Sequence, residues 1–227
     1  MLLYVIRHGH PDYATDSLTP LGEAQAAALP ARFRPHGLDR IFSSPLGRAQ
    51  ATARPTAKAL GLPVETEEWC SESLAWHEFA LPFPDGHRRW IFDLPAARLR
   101  REGIPPEYLA QIRYEEGYAR LRRDSDAFLE RLGYRREGGL YRILRPSEER
   151  IALFCHAGCS RIWFPHLLDV DPVWFWTAFD LTHAGIIVVH FENVPEGLTA
   201  PRCLAWSDTG PLFHAGLELE YNAHLPF

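Results

Sequence analysis

One histidine in the sequence stands where a nucleophile could meet an anion. His8 lies between Arg7 and Gly9, directly after the apolar residues 2–6. An imidazole can act as a nucleophile, a base or a metal ligand, and a guanidinium offers forked donors that match phosphate or carboxylate. Gly9 lets the backbone turn and approach a ligand closely. The pattern therefore predicts an anion site with a reactive histidine, although a strand followed by an ordinary polar turn would have the same sequence.

A second histidine repeats this arrangement late in the chain. His156 follows the apolar residues 151–155 and precedes Ala157 and Gly158. Unbroken apolar runs of this length predict strands that are buried on both faces. Ligands of open α/β sheets bind beyond the carboxyl ends of such strands. If the two strands are parallel, His8 and His156 meet over one site.

An arginine is predicted at the same edge of the sheet. Residues 37–42 predict a turn and a further strand, which ends before Ser44 and Pro45. These two residues predict a helix start, with Ser44 as the cap and Pro45 at the first position. Arg48 then falls in the first turn, where the helix dipole disfavours a cation. An anion bound jointly by Arg48 and the free N–H groups of that turn would explain its position.

Composition excludes several classes of protein. The chain has 227 residues, of which 46% are hydrophobic, and a net charge of -5, which argues against a general nucleic-acid binder. No apolar run is long enough to span a membrane, and a charge comes too early, at Arg7, for a signal peptide. The four cysteines show no paired C-x-x-C spacing. We therefore expect a cytoplasmic protein with reduced thiols and no nucleic-acid or membrane partner, either monomeric or dimeric.

Several motifs together resemble one family. Arg7-His8-Gly9 after a first strand resembles the signature of the histidine phosphatase superfamily, the phosphoglycerate-mutase-like proteins. Residues 18–26 resemble the first helix of that family, residues 43–53 its second motif, and residues 154–158 its late histidine motif. The likeness covers about residues 1–72 and 150–207. Agreement between separate motifs in the right order strengthens the assignment.

The resemblance implies a fold and an activity. The fold would be a three-layer α/β/α sandwich around a mostly parallel sheet. Residues 1–227 would form a single domain, with an insert at about 79–135 as a lid over the site. The activity would be hydrolysis of a small phosphoester through a phosphohistidine, without metal or cofactor. His8 would be the nucleophile, while Arg7, Gly9, Arg48 and His156 would bind the phosphoryl group.

Part of the family pattern is absent or ambiguous. Ala14 stands where the family often has an asparagine, so one phosphate ligand is missing or replaced. Thr182 or His183, before the fifth strand, could approach the phosphate, although both could also be ordinary turn residues. The general acid is predicted to be Glu72 from its spacing after the preceding strand. The apolar residues around Glu78 also resemble the family's context, and Glu78 is then predicted at the pocket rim.

Other functions remain open at this point. A mutase would use the same residues, and a non-catalytic member would only bind a phosphorylated ligand. A metal hydrolase could use His8, His10 and Asp12, but the chain lacks the further ligand clusters that such a site needs. The lid also carries arginines near tryptophans and a phenylalanine, which predict either a pocket for an anionic or aromatic phosphoester or, in preference, a solvated basic face. They are Arg88, Arg89, Arg98, Arg100 and Arg101, near Trp76, Trp90 and Phe92.

Overall fold

The computed structural model describes residues 1–83 and 85–219. Its strands and α-helices in chain order are β1 (Leu2–Arg7), β2 (Pro11–Asp12), β3 (Ser17–Leu18), α1 (Pro20–Ala28), α2 (Pro30–Phe33), β4 (Arg40–Ser43), α3 (Gly47–Leu60), β5 (Val64–Thr66), α4 (Glu72–Phe79), β6 (Ala80–Pro82), β7 (Arg88–Trp90), α5 (Ala96–Glu102), α6 (Pro106–Leu109), α7 (Tyr114–Arg131), β8 (Tyr134–Glu137), β9 (Leu140–Ile143), β10 (Arg150–Cys155), α8 (Ala157–Leu168), α9 (Pro172–Trp176), β11 (Ile186–His190), β12 (Leu198–Thr199), β13 (Arg202–Asp208) and α10 (Gly210–His214). Short 3-10 helices cover Glu68–Cys70 and Ile91–Asp93.

A six-stranded sheet in the order β13-β11-β1-β10-β4-β5 forms the centre. The strands β1, β10, β4 and β5 pair in parallel, whereas β11 is antiparallel to both of its neighbours, β1 and β13. The carboxyl ends of β1, β10 and β4 therefore lie side by side. This confirms the expected mostly parallel α/β sheet and creates the edge at which ligands bind in such folds.

The alternation of side chains along the central strands divides the core into two. Leu3 and Val5 belong to one hydrophobic cluster, which includes residues of α7 and α8. Tyr4 and Ile6 belong to another, which includes residues of α2 and α3. Successive side chains of a strand point to opposite faces, so the helices must cover both faces of the sheet. The result is the predicted three-layer sandwich.

The insert differs in part from the predicted lid. Its first part forms the β6–β7 hairpin and the short helices α5 and α6. Its second part, α7, buries Leu121, Phe128 and Leu129 in the sheet's core. Those residues are spaced for one helix face, so α7 is a structural layer. The predicted lid at 79–135 therefore does not include α7. For the residues before α7 the lid stays a prediction, and Ile91, Phe92 and Leu99 among them are buried in the same core.

No described helix combines the length and apolarity that crossing a bilayer requires. All four cysteines are free thiols, and Cys70, Cys155 and Cys159 are buried. Burial raises the pKa of Cys155 to about 12. This thiol is therefore protonated at neutral pH, and a protonated thiol is a poor nucleophile.

Candidate active site

The parallel register brings the two motif histidines together. Arg7 of β1 pairs with Cys155 of β10, so His8 and His156 each follow their strand by one residue. The backbone N–H of His8 donates to the backbone carbonyl of Cys155 at 2.9 Å. The two imidazole rings lie 5.1 Å apart between centroids. Both are buried. The expected meeting of two histidines over one site is therefore seen in the structure.

Hydrogen bonding determines which nitrogen of His8 can react. His8 Nδ1 lies 2.7 Å from the Gly9 carbonyl oxygen. A carbonyl oxygen can only accept, so Nδ1 carries the proton and Nε2 keeps its lone pair. Burial lowers the pKa of His8 well below its ordinary value, and His156 and Arg7 lower it further. His8 is therefore neutral at physiological pH, and its Nε2 is a competent nucleophile.

His156 links the histidine pair to a serine and to a carboxylate. His156 Nε2 lies 2.8 Å from Ser44 Oγ, and Nδ1 lies 3.5 Å from Glu72 Oε2. Burial lowers the pKa of His156 well below its ordinary value, with Arg48 and Arg7 adding to the effect. A Ser44 hydroxyl that donates to Nε2 leaves the proton of the neutral ring on Nδ1. That N–H is then available to a phosphoryl oxygen.

The helix that carries Arg48 begins later than predicted. Its first residue is Gly47 and its cap residue is Leu46, so Ser44 does not cap it through the first turn. Ser44 is instead held at the end of β4, where its N–H donates to the Phe154 carbonyl at 2.9 Å. The predicted role of Ser44 as a cap is wrong because Leu46 is extended and the helix starts only at Gly47. The Ser44 hydroxyl accepts the Leu46 N–H at 3.4 Å and contacts His156. Arg48 nevertheless lies in the first turn, as expected.

Asp16 holds the Arg48 turn in place, and the sequence contains no motif that identifies it. Asp16 Oδ2 accepts the Gly47 N–H at 2.6 Å, and Oδ1 accepts from an Arg48 guanidinium nitrogen at 2.5 Å. The Asp16 backbone adopts φ 49°, in the left-handed region. A Cβ on Gly47 would lie only 2.3 Å from the Asp16 carbonyl oxygen. Only glycine therefore lets this loop approach α3 closely enough to clamp the arginine.

Arg7 is held by the loop before β11. One terminal guanidinium nitrogen donates to the Leu181 carbonyl at 2.6 Å, and the other lies 2.7 Å from His183 Nε2. Because a guanidinium only donates, His183 Nε2 must accept and its ring is neutral. Burial, with Arg7 and His10 nearby, lowers the pKa of His183 to about 2. Burial also lowers the pKa of Arg7, which stays a cation at neutral pH.

The structure places the His183 ring close to His8 and His10, and the backbone of Thr182 bonds to Ser207. The His183 ring lies 5.8 Å from the His8 ring and 5.2 Å from the His10 ring, between centroids. Thr182 is buried, and its N–H donates to Ser207 Oγ at 3.1 Å. His183 therefore remains a candidate for orienting Arg7. The backbone N–H of Thr182 bonds instead to a residue of β13.

The two candidate acids lie in different surroundings. Glu72 Oε2 accepts from Arg48 at 3.0 Å, and Oε1 accepts the Gly158 N–H at 3.0 Å. Glu72 thus contacts both the motif that contains Arg48 and the late histidine motif that contains Gly158. Glu78 makes a two-pronged ion pair with Arg120 of α7, at 2.6 and 2.7 Å. The predicted position of Glu78 at the pocket rim is wrong, because helical spacing turns it from Glu72 toward α7.

Gly9 serves a packing role that its motif did not reveal. Its N–H donates to Thr52 Oγ1 at 2.9 Å, and a Cβ at this position would lie 2.6 Å from the Gly22 carbonyl oxygen. A Cβ on Gly22 would in turn lie 2.1 Å from the His10 carbonyl oxygen. The loop after β1 therefore touches α1 backbone to backbone, which sets the position of His8.

Three of these residues could also ligate a metal ion. One donor atom each from His8, Glu72 and His156 lies within 4.8 Å of the others. However, the guanidinium of Arg48 contacts Glu72, and that of Arg7 lies close enough to depress the pKa of both histidines. Two neighbouring cations favour an anion at this place over a metal ion.

The ligands of the alternative metal site are directed elsewhere. His10 Nδ1 lies 2.9 Å from Thr19 Oγ1. Asp12 accepts hydrogen bonds from Ala14 and Thr15 within its own turn. Neither residue belongs to the group that could hold a metal among residues 1–83 and 85–219. The sequence His8-x-His10 therefore does not form a joint site with Asp12.

A cavity of about 560 Å³ opens over Arg48 and Glu72. Tyr13 lines it next to the position of Ala14, and the Arg48 guanidinium lies 5.3 Å from the Tyr13 ring centroid. Trp76, Arg88 and Trp90 line it from the insert. Of the arginines predicted near the pocket, Arg98 pairs with Glu102 and Glu107 and Arg100 bonds Thr177. Those two lie on the surface, as the solvated interpretation predicted.

Comparisons with known proteins agree on the fold. A phosphoserine phosphatase from Entamoeba histolytica, solved with 3-phosphoglyceric acid, has a TM-score of 0.62 at 21% identity; the match covers 93% of this chain and 98% of the other. A mycobacterial glucosyl-3-phosphoglycerate phosphatase, solved with VO3, has a TM-score of 0.57 at 20% identity, with 92% and 99% covered. At these identities the likeness shows the fold alone.

Sequence comparison identifies the family. The Yersinia enterocolitica protein named "Probable phosphoglycerate mutase GpmB" is 38% identical over 74 residues, which are 29% of this chain and 34% of that relative. The match thus spans about a third of the curated relative. The sequence model of the histidine phosphatase superfamily (branch 1) matches residues 3–200. Since that match includes both histidine motifs and Arg48, the chain belongs to the histidine phosphatase superfamily, branch 1.

Proposed function

We propose that this protein hydrolyses small phosphomonoesters through a phosphohistidine at His8, without a metal ion. The observation that carries the proposal is the 2.7 Å contact between His8 Nδ1 and the Gly9 carbonyl oxygen, which requires the proton on Nδ1. It leaves Nε2 as a buried, neutral nucleophile in a site with two arginines. Phosphoryl transfer depends mainly on such prearranged positive charge.

The proposed reaction has two displacements. In the first, His8 Nε2 forms a bond to phosphorus while the bond to the leaving oxygen breaks, and Glu72 gives that oxygen a proton. In the second, water attacks phosphorus, Glu72 takes its proton, and the bond between phosphorus and Nε2 breaks to release inorganic phosphate. Arg7, Arg48 and the His156 N–H stabilise the charge on the phosphoryl oxygens. Glu72 lies between Arg48 and Gly158, so it is close to each of these groups.

A mutase is the second candidate. It is favoured by the 38% identity to a protein named as a probable phosphoglycerate mutase, over 74 residues. Such an enzyme would return the phosphoryl group to a second hydroxyl of its substrate rather than to water. The first displacement would be the same. Release of inorganic phosphate against transfer to an added phosphoglycerate separates the two.

The test combines a panel of phosphoesters with trapping of the intermediate. Rapid quenching at alkaline pH should capture phosphate on the wild-type protein that is stable in base and labile in acid. His8→Ala should abolish both trapping and turnover while it retains the circular dichroism spectrum. The matched control is His36→Ala, which changes an exposed histidine. A His8→Ala protein that turns over near the wild-type rate contradicts the proposal, as does activity that chelation abolishes and zinc restores.

A further inference from the structure

One wall of the cavity that Arg48 and Glu72 line is aromatic. Trp76 of α4 and Trp90 at the end of β7 line it, and their rings lie 4.8 Å apart at an angle of 83°. This geometry forms a right-angled corner. A planar ring can stack on one indole and present its edge to the other, which are the two arrangements that aromatic rings prefer.

Neighbouring residues pack against Trp90 and hold the corner in place. Trp90 stacks on Phe92 at 5.1 Å and 13°, and the Arg161 guanidinium lies 4.1 Å from the Phe92 ring centroid. A Cβ on Gly158 would lie 2.5 Å from the Trp90 ring. The glycine at this position of the late histidine motif therefore leaves room for the indole. The aromatic wall is therefore supported by the first turn of α8, whose Gly158 N–H also binds Glu72.

Arg88 adds a charge whose donors are largely uncommitted. It lines the cavity and donates to the Ala80 carbonyl, and within the described residues it has no carboxylate partner. Its neighbour Arg89 pairs with Asp85 and lies 4.5 Å from the Phe83 ring centroid. Arg48, nearer the phosphate, is already bound by Asp16 and Glu72. Arg88 is thus the guanidinium of this cavity best able to bind a second anion.

We propose that this cavity binds the leaving group of the substrate and selects a planar ring that carries a second negative charge. The ring occupies the corner of Trp76 and Trp90, and the charge lies at Arg88. The volume of about 560 Å³ accommodates a ring with several substituents, within the usual range for small-molecule sites. This inference rests on the proposed phosphatase function and deepens it.

Three esters test the two parts of the subsite: phenyl phosphate, 4-carboxyphenyl phosphate and propyl phosphate. The para carboxylate changes the acidity of the leaving phenol little, so a higher kcat/KM for the carboxylated ester reports binding of the charge. Arg88→Ala should lower the ratio of kcat/KM for 4-carboxyphenyl to phenyl phosphate by about tenfold, because a charge-assisted hydrogen bond is lost.

Trp76→Ala should lower the ratio of kcat/KM for phenyl to propyl phosphate by several-fold, since it removes one side of the corner. Trp76 is 36% exposed, so this change is compatible with folding. The matched control is Arg101→Ala, an exposed arginine of α5 outside the cavity, which should keep both ratios. Hydrolysis of all three esters with ratios that neither Arg88→Ala nor Trp76→Ala changes overturns this inference alone. Failure of the wild type to hydrolyse any of them overturns the phosphatase proposal as well.

Discussion

At the scale of single residues, the site depends on where each proton and charge is held. His8 presents Nε2 because Nδ1 is committed to the Gly9 carbonyl oxygen. Glu72 is bound by Arg48 and by the Gly158 N–H, whereas Glu78 is bound by Arg120. Two glutamates six residues apart on one helix thus have separate tasks, one in the site and one in holding α4 against α7.

Replacing each glutamate by glutamine should separate these tasks. Glu72→Gln should lower kcat/KM for an alkyl phosphate by on the order of 100-fold, because it cannot protonate a poor leaving group. The same variant should lose less kcat/KM with 4-nitrophenyl phosphate, because its leaving group needs no acid. Glu78→Gln should keep the ratio of kcat/KM between the two esters. It should lower the free energy of unfolding by about 2 kcal/mol, since it removes the two-pronged ion pair of the partly buried Arg120 and leaves only the ion pair with Asp124 at 3.8 Å.

Steady-state kinetics on both esters and urea unfolding of both variants measure this difference. The two variants serve as controls for each other, because each removes one carboxylate from the same helix. A Glu78→Gln protein with a selective loss on alkyl phosphates, beside an unaffected Glu72→Gln protein, would reverse the assignment of the acid.

At the scale of elements, close backbone contacts set the position of His8, the proposed nucleophile. The loop after β1 touches α1 at Gly9 and Gly22, and Thr19 caps that helix by accepting the Gly22 N–H at 3.2 Å. The loop carrying Asp16 touches α3 at Gly47. Each contact lies between a strand-end loop and a helix start. These glycines therefore allow close contacts that position His8 and Arg48.

Gly22→Ala should disturb the site from outside it. The added Cβ would lie 2.1 Å from the His10 carbonyl oxygen, so the loop that carries His8 and α1 must separate. We expect a loss of about 1–3 kcal/mol in the free energy of unfolding and at least a tenfold loss in kcat. Ala24→Val, which adds volume on an exposed position of the same helix, should change neither. Unfolding curves and kinetics that match the wild type in Gly22→Ala would show that the contact is not rigid.

At the scale of the whole molecule, three neutral histidines link the site to the pH dependence of stability; His8 and His156 are buried, and His183 is partly buried. The folded pKa values of His8, His156 and His183 all lie below the ordinary value of 6.5, and that of His183 is about 2. Above pH 6.5 these side chains are neutral in both folded and unfolded chains, so they add no pH dependence. Below it the unfolded chain takes up protons that the folded protein cannot, so stability falls as the pH falls.

Urea unfolding between pH 7.5 and pH 4.5 should measure this coupling. Well below pH 6.5, each histidine lowers the free energy of unfolding by about 1.4 kcal/mol for each unit that the pH falls. The three histidines together therefore lower it by about 4 kcal/mol per unit. His183→Gln, whose amide oxygen can still accept from Arg7, should reduce the slope by about a third. Stability that is constant from pH 7.5 to pH 5, or a slope unchanged in His183→Gln, would show that these histidines are protonated in the folded protein.

The sequence by itself determined the central strands and the motifs around His8, Arg48 and His156. Apolar runs of the right length predicted buried strands before His8 and His156, and the resemblance of several motifs to one family implied a mostly parallel sheet between two layers of helices. Short-range features of this kind are carried by adjacent residues, so periodicity and motif order reveal them.

Only the tertiary structure decided which remote residues complete the site. Asp16 reaches Arg48 across 32 positions and Ser44 reaches His156 across 112, contacts that no local pattern encodes. The proposed choice of Glu72 over Glu78 depends on which face of α4 meets α7. The proposed role of Arg88 depends on the β6–β7 hairpin, which brings this residue to the cavity. Long-range packing sets each of these distances, because loops of variable length separate the residues from their motifs.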